Sequence, residues 1–340
     1  MYPWHQKDWQ QLQQLRDKLP HAILFHGAQG TGKVAFAEQF AQSLLCETRA
    51  ADGHACGSCM ACGWFIQYSH PDYRRVRPLA LEEDDAAEGG EDEGPTTKKS
   101  ASTRAPSKEI KIDQIRALAE FMNVSTHRAG LRVVTLYPAE VLNAVSANAL
   151  LKTLEEPPPG TVFLLVAHRV ERLLPTIVSR CRKLALGMPL PALALSWLQA
   201  QGIPDAARWL AGQGGAPLAA LDAAQAESGG ELDDLLSQLA RPNAATALSV
   251  AERLQKTPLV LVVAWQQRWL YDLFSLKLCG RVRYFPHHQK AMEALIVRAP
   301  LARLQQALRD AGQRRAVAEH PLSARLFIED MLLQYTGIFT

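Results

Sequence analysis

A glycine-rich turn between a strand-like run and a helix-like run is the feature that most constrains this sequence. The turn reads GAQGTGKV from Gly27 to Val34. A phosphate-binding loop has the form glycine, four residues, glycine-lysine and then serine or threonine. Gly27, Gly32 and Lys33 match this form, but Val34 stands where the hydroxyl ligand of Mg²⁺ is required. The turn therefore predicts a loop descended from a nucleotide-binding loop, and its valine argues against hydrolysis.

Strand-like and helix-like patterns alternate through the first half of the chain. Apolar, β-rich runs occupy 21–27, 131–138 and 161–167, and helix-like segments occupy 34–46 and 146–157. Such alternation predicts a parallel α/β sheet that helices cover on both faces. The glycine-rich turn would then lie at the carboxyl edge of that sheet, where it opens a helix.

The sequence predicts three domains. Residues 1–188 form the α/β domain, residues 189–228 a small helical lid, and residues 229–340 an all-helical domain with leucines at three- and four-residue steps. Within the first domain, residues 79–107 are acidic, then basic and rich in Ser, Thr and Pro. This segment has no apolar periodicity and predicts a disordered surface insertion.

The composition is that of a globular protein, with 48% hydrophobic and 21% charged residues. A net charge of +3 is too small to indicate a nucleic-acid-binding protein by itself. The first residues show no signal peptide. Polar residues interrupt the apolar stretch 258–278, which predicts a buried helix rather than a membrane span. These features predict a cytoplasmic protein with no membrane partner.

Four of the six cysteines lie close together, which in a reducing compartment favours a metal site over disulfides. The spacing CxxCxxC lets successive sulfurs point at one centre, and four thiolates complete a tetrahedral Zn²⁺ site. The predicted ligands of a structural zinc ion are Cys46, Cys56, Cys59 and Cys62. Substitution of a cysteine ligand by His54 or His70 and an iron–sulfur cluster are weaker alternatives.

The strand that should carry the acids of ATP hydrolysis lacks them. Nucleotide hydrolases with this loop hold Mg²⁺ through an acidic residue at the end of a later strand. The strand LRVVTL is followed instead by Tyr137 and Pro138, and Glu140 comes after the strand tip. Together with Val34, three positions that should supply oxygen are hydrocarbon, phenol or proline. The sequence therefore predicts a chain that does not hydrolyse ATP.

Four motifs occur in an order and spacing that resemble a known family. They are GAQGTGKV, the four-cysteine insert followed by HPDY, the segment SANALLKTLEEPP, and the triplet SRC at Ser179–Cys181. On these residues the chain resembles the bacterial clamp-loader subunits of DNA polymerase III, which belong to the AAA+ class. The resemblance covers the full length. Because Val34, Tyr137 and Pro138 replace the metal-binding residues of the motor subunits, the match is to the stationary kind of subunit, as the opening YPW also indicates.

The resemblance implies a role in a partial ring of five subunits that their carboxyl-terminal helical domains hold together as a collar. The stationary subunit lends Arg180, beside Ser179, to ATP bound on the adjacent motor as an arginine finger in trans. Its own phosphate loop would hold ATP or ADP, if at all, without hydrolysis. The loop residues are Gly27, Gly30, Thr31, Gly32 and Lys33.

The resemblance also implies partners. These are the gamma or tau motors and the delta subunit, with the sliding clamp and primed DNA as targets of the assembly during replication. The chain would belong to the DNA polymerase III holoenzyme without being a polymerase or an active ATPase itself. One alternative is a gamma- or tau-like motor. Another is a zinc-dependent DNA-binding protein that acts alone, although no basic stripe accompanies the cysteines.

Overall fold

The chain divides into two compact units, Met1–Met188 and Pro189–Thr340. The computed structural model describes residues 1–82, 106–127, 130–226, 229–318, 320 and 323–339. Of the disordered insertion predicted at 79–107, residues 79–82 are helical instead, and residues 83–105 lie outside the described residues. Its two ends meet, because the amide of Ala80 donates to the carbonyl of Ser107 over 3.2 Å.

A parallel sheet forms the centre of the first unit. Its strands, among the described residues, are β1 (Ala22–His26), β2 (Tyr73–Val76), β3 (Arg132–Leu136), β4 (Thr161–Ala167) and β5 (Arg182–Ala185). They lie in the order β2-β3-β4-β1-β5, and every neighbouring pair is parallel. The three central strands are almost entirely buried, as expected where helices cover both faces. The α/β fold predicted from the sequence is confirmed.

Helices pack on both faces of this sheet. Those described are α1 (Gln6–Gln14), α2 (Lys33–Leu45), α3 (Met60–Ile66), α4 (Ile112–Asn123), α5 (Ala144–Glu155) and α6 (Pro175–Arg180). Alternate residues of a strand point to opposite faces. Accordingly Ile23 and Phe25 join one buried cluster with Phe36 of α2, while Leu24 joins another with Leu150 of α5. The two layers of helices therefore enclose two separate cores.

The two edge strands are not apparent from the sequence. Strand β2 reads YRRV and β5 reads RKLA, four residues each. Both carry charged side chains, because an edge strand is only partly covered and charge there discourages pairing with other chains. Neither segment is long or apolar enough to stand out by its pattern.

The second unit is helical throughout its described residues. Its helices are α7 (Pro191–Ala200), α8 (Ala206–Gly212), α9 (Pro217–Gln225), α10 (Gly229–Ala240), α11 (Ala244–Leu254), α12 (Leu259–Cys279), α13 (Gln289–Arg298), α14 (Leu301–Val317) and α15 (Ala324–Thr336). The first three share a small buried cluster, and the others surround a larger one that includes Trp269. Trp209 packs against both clusters. The division of this unit at residue 228 stays a prediction.

No helix in the described part of the chain is both long and apolar enough to cross a membrane.

The long helix α12 is held to the chain that follows it by a buried carboxylate. Asp272 of α12 is fully buried and accepts hydrogen bonds from the amides of Arg283, Tyr284 and Phe285 at 2.8–3.1 Å. The helix ends at Gly280, whose φ of 67° suits glycine. The carboxylate of Asp272 therefore accepts hydrogen bonds from the three consecutive backbone amides that follow the turn after α12.

Replacing Asp272 by Asn exchanges one accepting carboxylate oxygen for an NH₂ group. This donor would face the backbone N–H groups of residues 283–285, which are donors too. We expect Asp272→Asn to lower the free energy of unfolding of the second unit by about 1–3 kcal/mol, the usual cost of a buried unpaired donor. Urea denaturation followed by tryptophan fluorescence measures the change. The matched control is Asp310→Asn, because Asp310 accepts at the surface from the side chain of Gln306 and, among the described residues, has no hydrogen bond to a backbone amide. Equal effects of the two variants would contradict this role of Asp272.

Candidate functional site

The glycine-rich loop joins β1 to α2 in a conformation that requires its glycines. Gly27, Gly30 and Gly32 have φ values of 151°, 77° and 87°, which other residues adopt at a cost in strain. A Cβ on Gly27 would lie 2.1 Å from the carbonyl oxygen of Leu186. Gly32 precedes Lys33, the first residue of α2. The loop therefore presents the amino terminus of a helix at the carboxyl edge of the sheet, the position at which such loops bind phosphate.

The side chain of Lys33 folds back into this loop. Its amino group donates to the carbonyl of Ala28 over 2.5 Å, and the hydroxyl of Thr31 donates to the same oxygen over 3.0 Å. Lys33 is only 2% exposed. Burial lowers the pKa of Lys33 to about 8, and attraction to Glu140 opposes that change. The loop lysine thus binds the loop's own backbone.

The amino-terminal residues cover the loop from outside. The indole of Trp4 donates to the carbonyl of Thr31 over 2.8 Å, and Nε2 of the buried His5 contacts the same oxygen at 2.7 Å. Tyr2 lies so close to Gly32 that a Cβ there would be 2.4 Å from its ring. Sequence patterns alone do not place these aromatic residues on the loop, since the contacts join positions about 27 residues apart.

The end of β3, which β4 separates from β1 in the sheet, offers a neutral phenol where a metal ligand is expected. Tyr137 follows β3 and is buried, and burial raises its pKa to about 12. The side chain is therefore uncharged at neutral pH. Glu140 lies one short turn later, where its carboxylate accepts the amide of His168 over 2.9 Å. Burial lowers the pKa of His168, and the positive charge of Lys33 adds to this effect.

The four clustered cysteines converge as the sequence predicts. All four sulfurs lie within 4.8 Å of one another, so this group could hold a metal ion. The pairs Cys46–Cys56, Cys46–Cys59 and Cys56–Cys62 are 3.6, 3.9 and 3.9 Å apart. A tetrahedron with metal–sulfur bonds of about 2.3 Å has edges of about 3.8 Å. The donor set and its spacing therefore fit a tetrahedral metal ion.

Hydrogen bonds prepare this cluster for binding a cation. The amides of Cys56, Cys59 and Cys62 donate to the preceding sulfur of the group at 3.3–3.4 Å. The hydroxyl of Thr48 donates to Cys56, and this bond is the main cause of a pKa of about 5 for that thiol. Such donors stabilise thiolates, which are the form that binds metal, whereas burial raises the pKa of the Cys46 and Cys62 thiols.

Arg180 lies at the end of α6, apart from the loop. Its guanidinium donates to the carbonyl of Thr176 over 2.9 Å and forms an ion pair with Glu155. The neighbouring Ser179 is exposed and donates to the same carbonyl over 3.0 Å. The structure thus brings together the loop residues and, separately, the cysteines. The hydrogen-bond and ion-pair partners of Arg180 and Ser179 among the described residues are Thr176 and Glu155, which belong to neither group.

The amino-terminal part of the chain matches a protein family. The family model described as DNA polymerase III, delta subunit, matches residues 4–189. The DNA polymerase III subunit delta' of Pseudomonas aeruginosa is 37% identical over 82% of this chain and 78% of that protein. Its counterpart in Escherichia coli is 32% identical over 64% of this chain and 60% of that protein. The subunit tau of Bacillus subtilis is 30% identical over 50% of this chain and 25% of its own length.

Solved structures provide more distant similarities. A DNA polymerase III gamma subunit-related protein of Thermotoga maritima is 17% identical, with a TM-score of 0.44 over 97% of this chain and 100% of that one. The clamp loader delta protein of Bacillus subtilis is 11% identical, with a TM-score of 0.32 over 98% of this chain and 99% of that one.

The buried lysine of the loop makes stability depend on pH. The unfolded chain holds the Lys33 proton with a pKa of about 10.4, whereas the folded chain holds it with a pKa of about 8. Between these values the unfolded state binds more protons, so Lys33 makes the free energy of unfolding rise with pH. We expect a smaller rise in Lys33→Met, measured by urea denaturation from pH 7 to about 10.4. The exposed-lysine control Lys152→Met should keep the wild-type slope, and an unchanged slope in Lys33→Met would contradict the burial of its charge.

Proposed function

Because the chain belongs to the family of DNA polymerase III delta' subunits, we propose that it is a non-hydrolysing subunit of the clamp loader. In this role it completes the ATP site of an adjacent motor subunit and helps to load the sliding clamp on primed DNA. Its partners are the gamma or tau motors and delta, in a hetero-pentamer. The observation that carries the proposal is that Val34, Tyr137 and Pro138 stand at the positions of the expected metal ligands, while the phosphate loop itself is preserved.

Three features of the loop region argue against hydrolysis by this chain. Val34 has no hydroxyl for Mg²⁺, and Tyr137 is a phenol, which is neutral at pH 7 and whose pKa burial raises further, to about 12. Lys33 is bound to the carbonyl of Ala28. Loss of a well-placed charge or donor typically costs about 2.7–4 kcal/mol of transition-state stabilisation. ATP or ADP bound at Gly27, Gly30, Thr31, Gly32 and Lys33 would therefore persist unhydrolysed.

A gamma- or tau-like motor is the alternative function. The similarity to a tau subunit supports membership of the same assembly, but it does not restore the missing ligands. Glu140 is the carboxylate nearest in sequence to the strand end, and it already accepts the amide of His168. We therefore prefer the stationary role.

The catalytic contribution of this chain is assigned to Arg180, with Ser179 beside it. The arginine ends a short helix, and a third of its side chain is exposed, so it can reach a molecule outside the chain. A guanidinium is permanently charged and matches phosphate oxygens in a bidentate geometry. An arginine supplied in trans stabilises the charge that develops on the transferred phosphoryl group.

Arg180→Ala in a loader reconstituted with its partner subunits tests this assignment. In other nucleotide hydrolases an arginine finger raises turnover by about 10³–10⁵-fold, so the ATP site that Arg180 completes should become almost inactive. DNA-stimulated ATP turnover of the whole loader should fall, while assembly and metal content remain. The control is Arg182→Ala, an exposed arginine two positions away. Unchanged turnover in Arg180→Ala would overturn the assignment.

The metal that fits the cysteine group best is Zn²⁺, in a structural role. Four thiolates are typical of closed structural zinc sites, which leave no coordination position for a substrate. When bound, zinc would fix residues 46–62 to the first unit. Structural zinc sites contribute about 10–16 kcal/mol of apparent binding free energy in small peptides, so its loss should destabilise this segment.

Metal analysis of the purified chain tests the zinc proposal. We expect one zinc ion per chain, and its loss in Cys62→Ser, because Cys62 is one of the four converging thiols and is fully buried. Cys279→Ser is the matched control, since Cys279 is exposed in the second unit. Retention of zinc by Cys62→Ser, or another metal in its place, would contradict the proposal.

A further inference from the structure

The ion pair between Arg180 and Glu155 depends on the position at which helix α5 ends. The sequence LEEPP places a proline at 157, and a residue before proline is biased away from helical conformation. Glu156 accordingly leaves the helix with φ −125° and ψ 69°. Glu155 is therefore the last helical residue, and its exposed carboxylate faces the end of α6.

Two groups hold the guanidinium of Arg180 at this place. Nη1 donates to the carbonyl of Thr176, and Nη2 donates to the carboxylate of Glu155. One partner is neutral and lies on the same helix, while the other is charged and lies 25 residues earlier in the chain. Both terminal nitrogens of the guanidinium therefore have hydrogen-bond partners, and the side chain does not extend freely into solvent.

We propose that Glu155 is a positioning residue for the arginine finger, an inference that rests on the proposed function. It holds Arg180 at the surface and yields it to the phosphates of ATP on the adjacent subunit. The carboxylate and the phosphate compete for the same donors, since both accept bidentate hydrogen bonds from arginine. Exchange of one acceptor for the other couples release of Glu155 to binding of the nucleotide.

The exposure of the pair makes this exchange feasible. The side chains of Arg180 and Glu155 are 33% and 48% exposed. Exposed ion pairs contribute little to stability and are weakened by salt. A triphosphate carries more charge than a carboxylate, so it wins the competition. Removal of the carboxylate frees Arg180 for the phosphates, and Glu155→Gln should therefore strengthen ATP binding at that site.

The test is Glu155→Gln in the reconstituted loader. We expect the apparent KM for ATP to fall by about two- to five-fold, the range that an exposed ion pair provides. The kcat of DNA-stimulated turnover should change by less than about two-fold, because Arg180 itself remains. In an Arg180→Ala background that site is almost inactive, so the Kd for ATP is measured there by equilibrium binding, and Glu155→Gln should leave it unchanged, since its partner is gone.

The control is Glu156→Gln, the exposed neighbour outside the helix, which should leave KM unchanged. An unchanged KM in Glu155→Gln, or an equal change with and without Arg180, overturns the positioning role. If Arg180→Ala alone leaves turnover unchanged, the proposed function fails instead. If Glu155 had only a structural role, Glu155→Gln would alter assembly of the loader with or without Arg180, and KM and kcat would change together.

Discussion

The amino group of Lys33 lies 2.5 Å from the carbonyl oxygen of Ala28, and this bond ties the first residue of α2 back to the loop. A buried ammonium requires hydrogen-bond partners, and here the backbone supplies one. Trp4 and His5 contact the carbonyl of Thr31 from the other side. The loop that joins β1 to α2 is therefore stabilised by hydrogen bonds from the chain's own side chains.

This edge of the sheet has the backbone form of a nucleotide-binding site without its metal-binding side chains. The strand, the loop and the helix remain, yet Val34 and Tyr137 provide no charged oxygen for a metal ion. The chain belongs to the delta' family. A subunit of an assembly can retain a fold because the fold makes contacts within the assembly, even where the metal ligands are missing. On the proposed function, the useful charge lies at Arg180, at the end of α6 and outside the loop.

Much of the first unit could be predicted because its patterns are local. Strands β1, β3 and β4 are continuous apolar runs, the loop has a fixed spacing, and the cysteine spacing is short enough to fix one centre. The edge strands β2 and β5 could not be predicted, since four residues with charged side chains carry no periodic signal. Contacts such as Trp4 with Thr31 and Arg180 with Glu155 join distant positions, and only the folded chain reveals them.

Turnover of ATP by the purified chain alone is the most direct test of the central claim, which is that this chain has lost its own phosphoryl-transfer chemistry. The measurement compares the wild-type chain with Lys33→Met, with Mg²⁺ and without it. The account predicts hydrolysis at the background rate in all four cases. Mg²⁺-dependent turnover in the wild-type chain that disappears in Lys33→Met would contradict it.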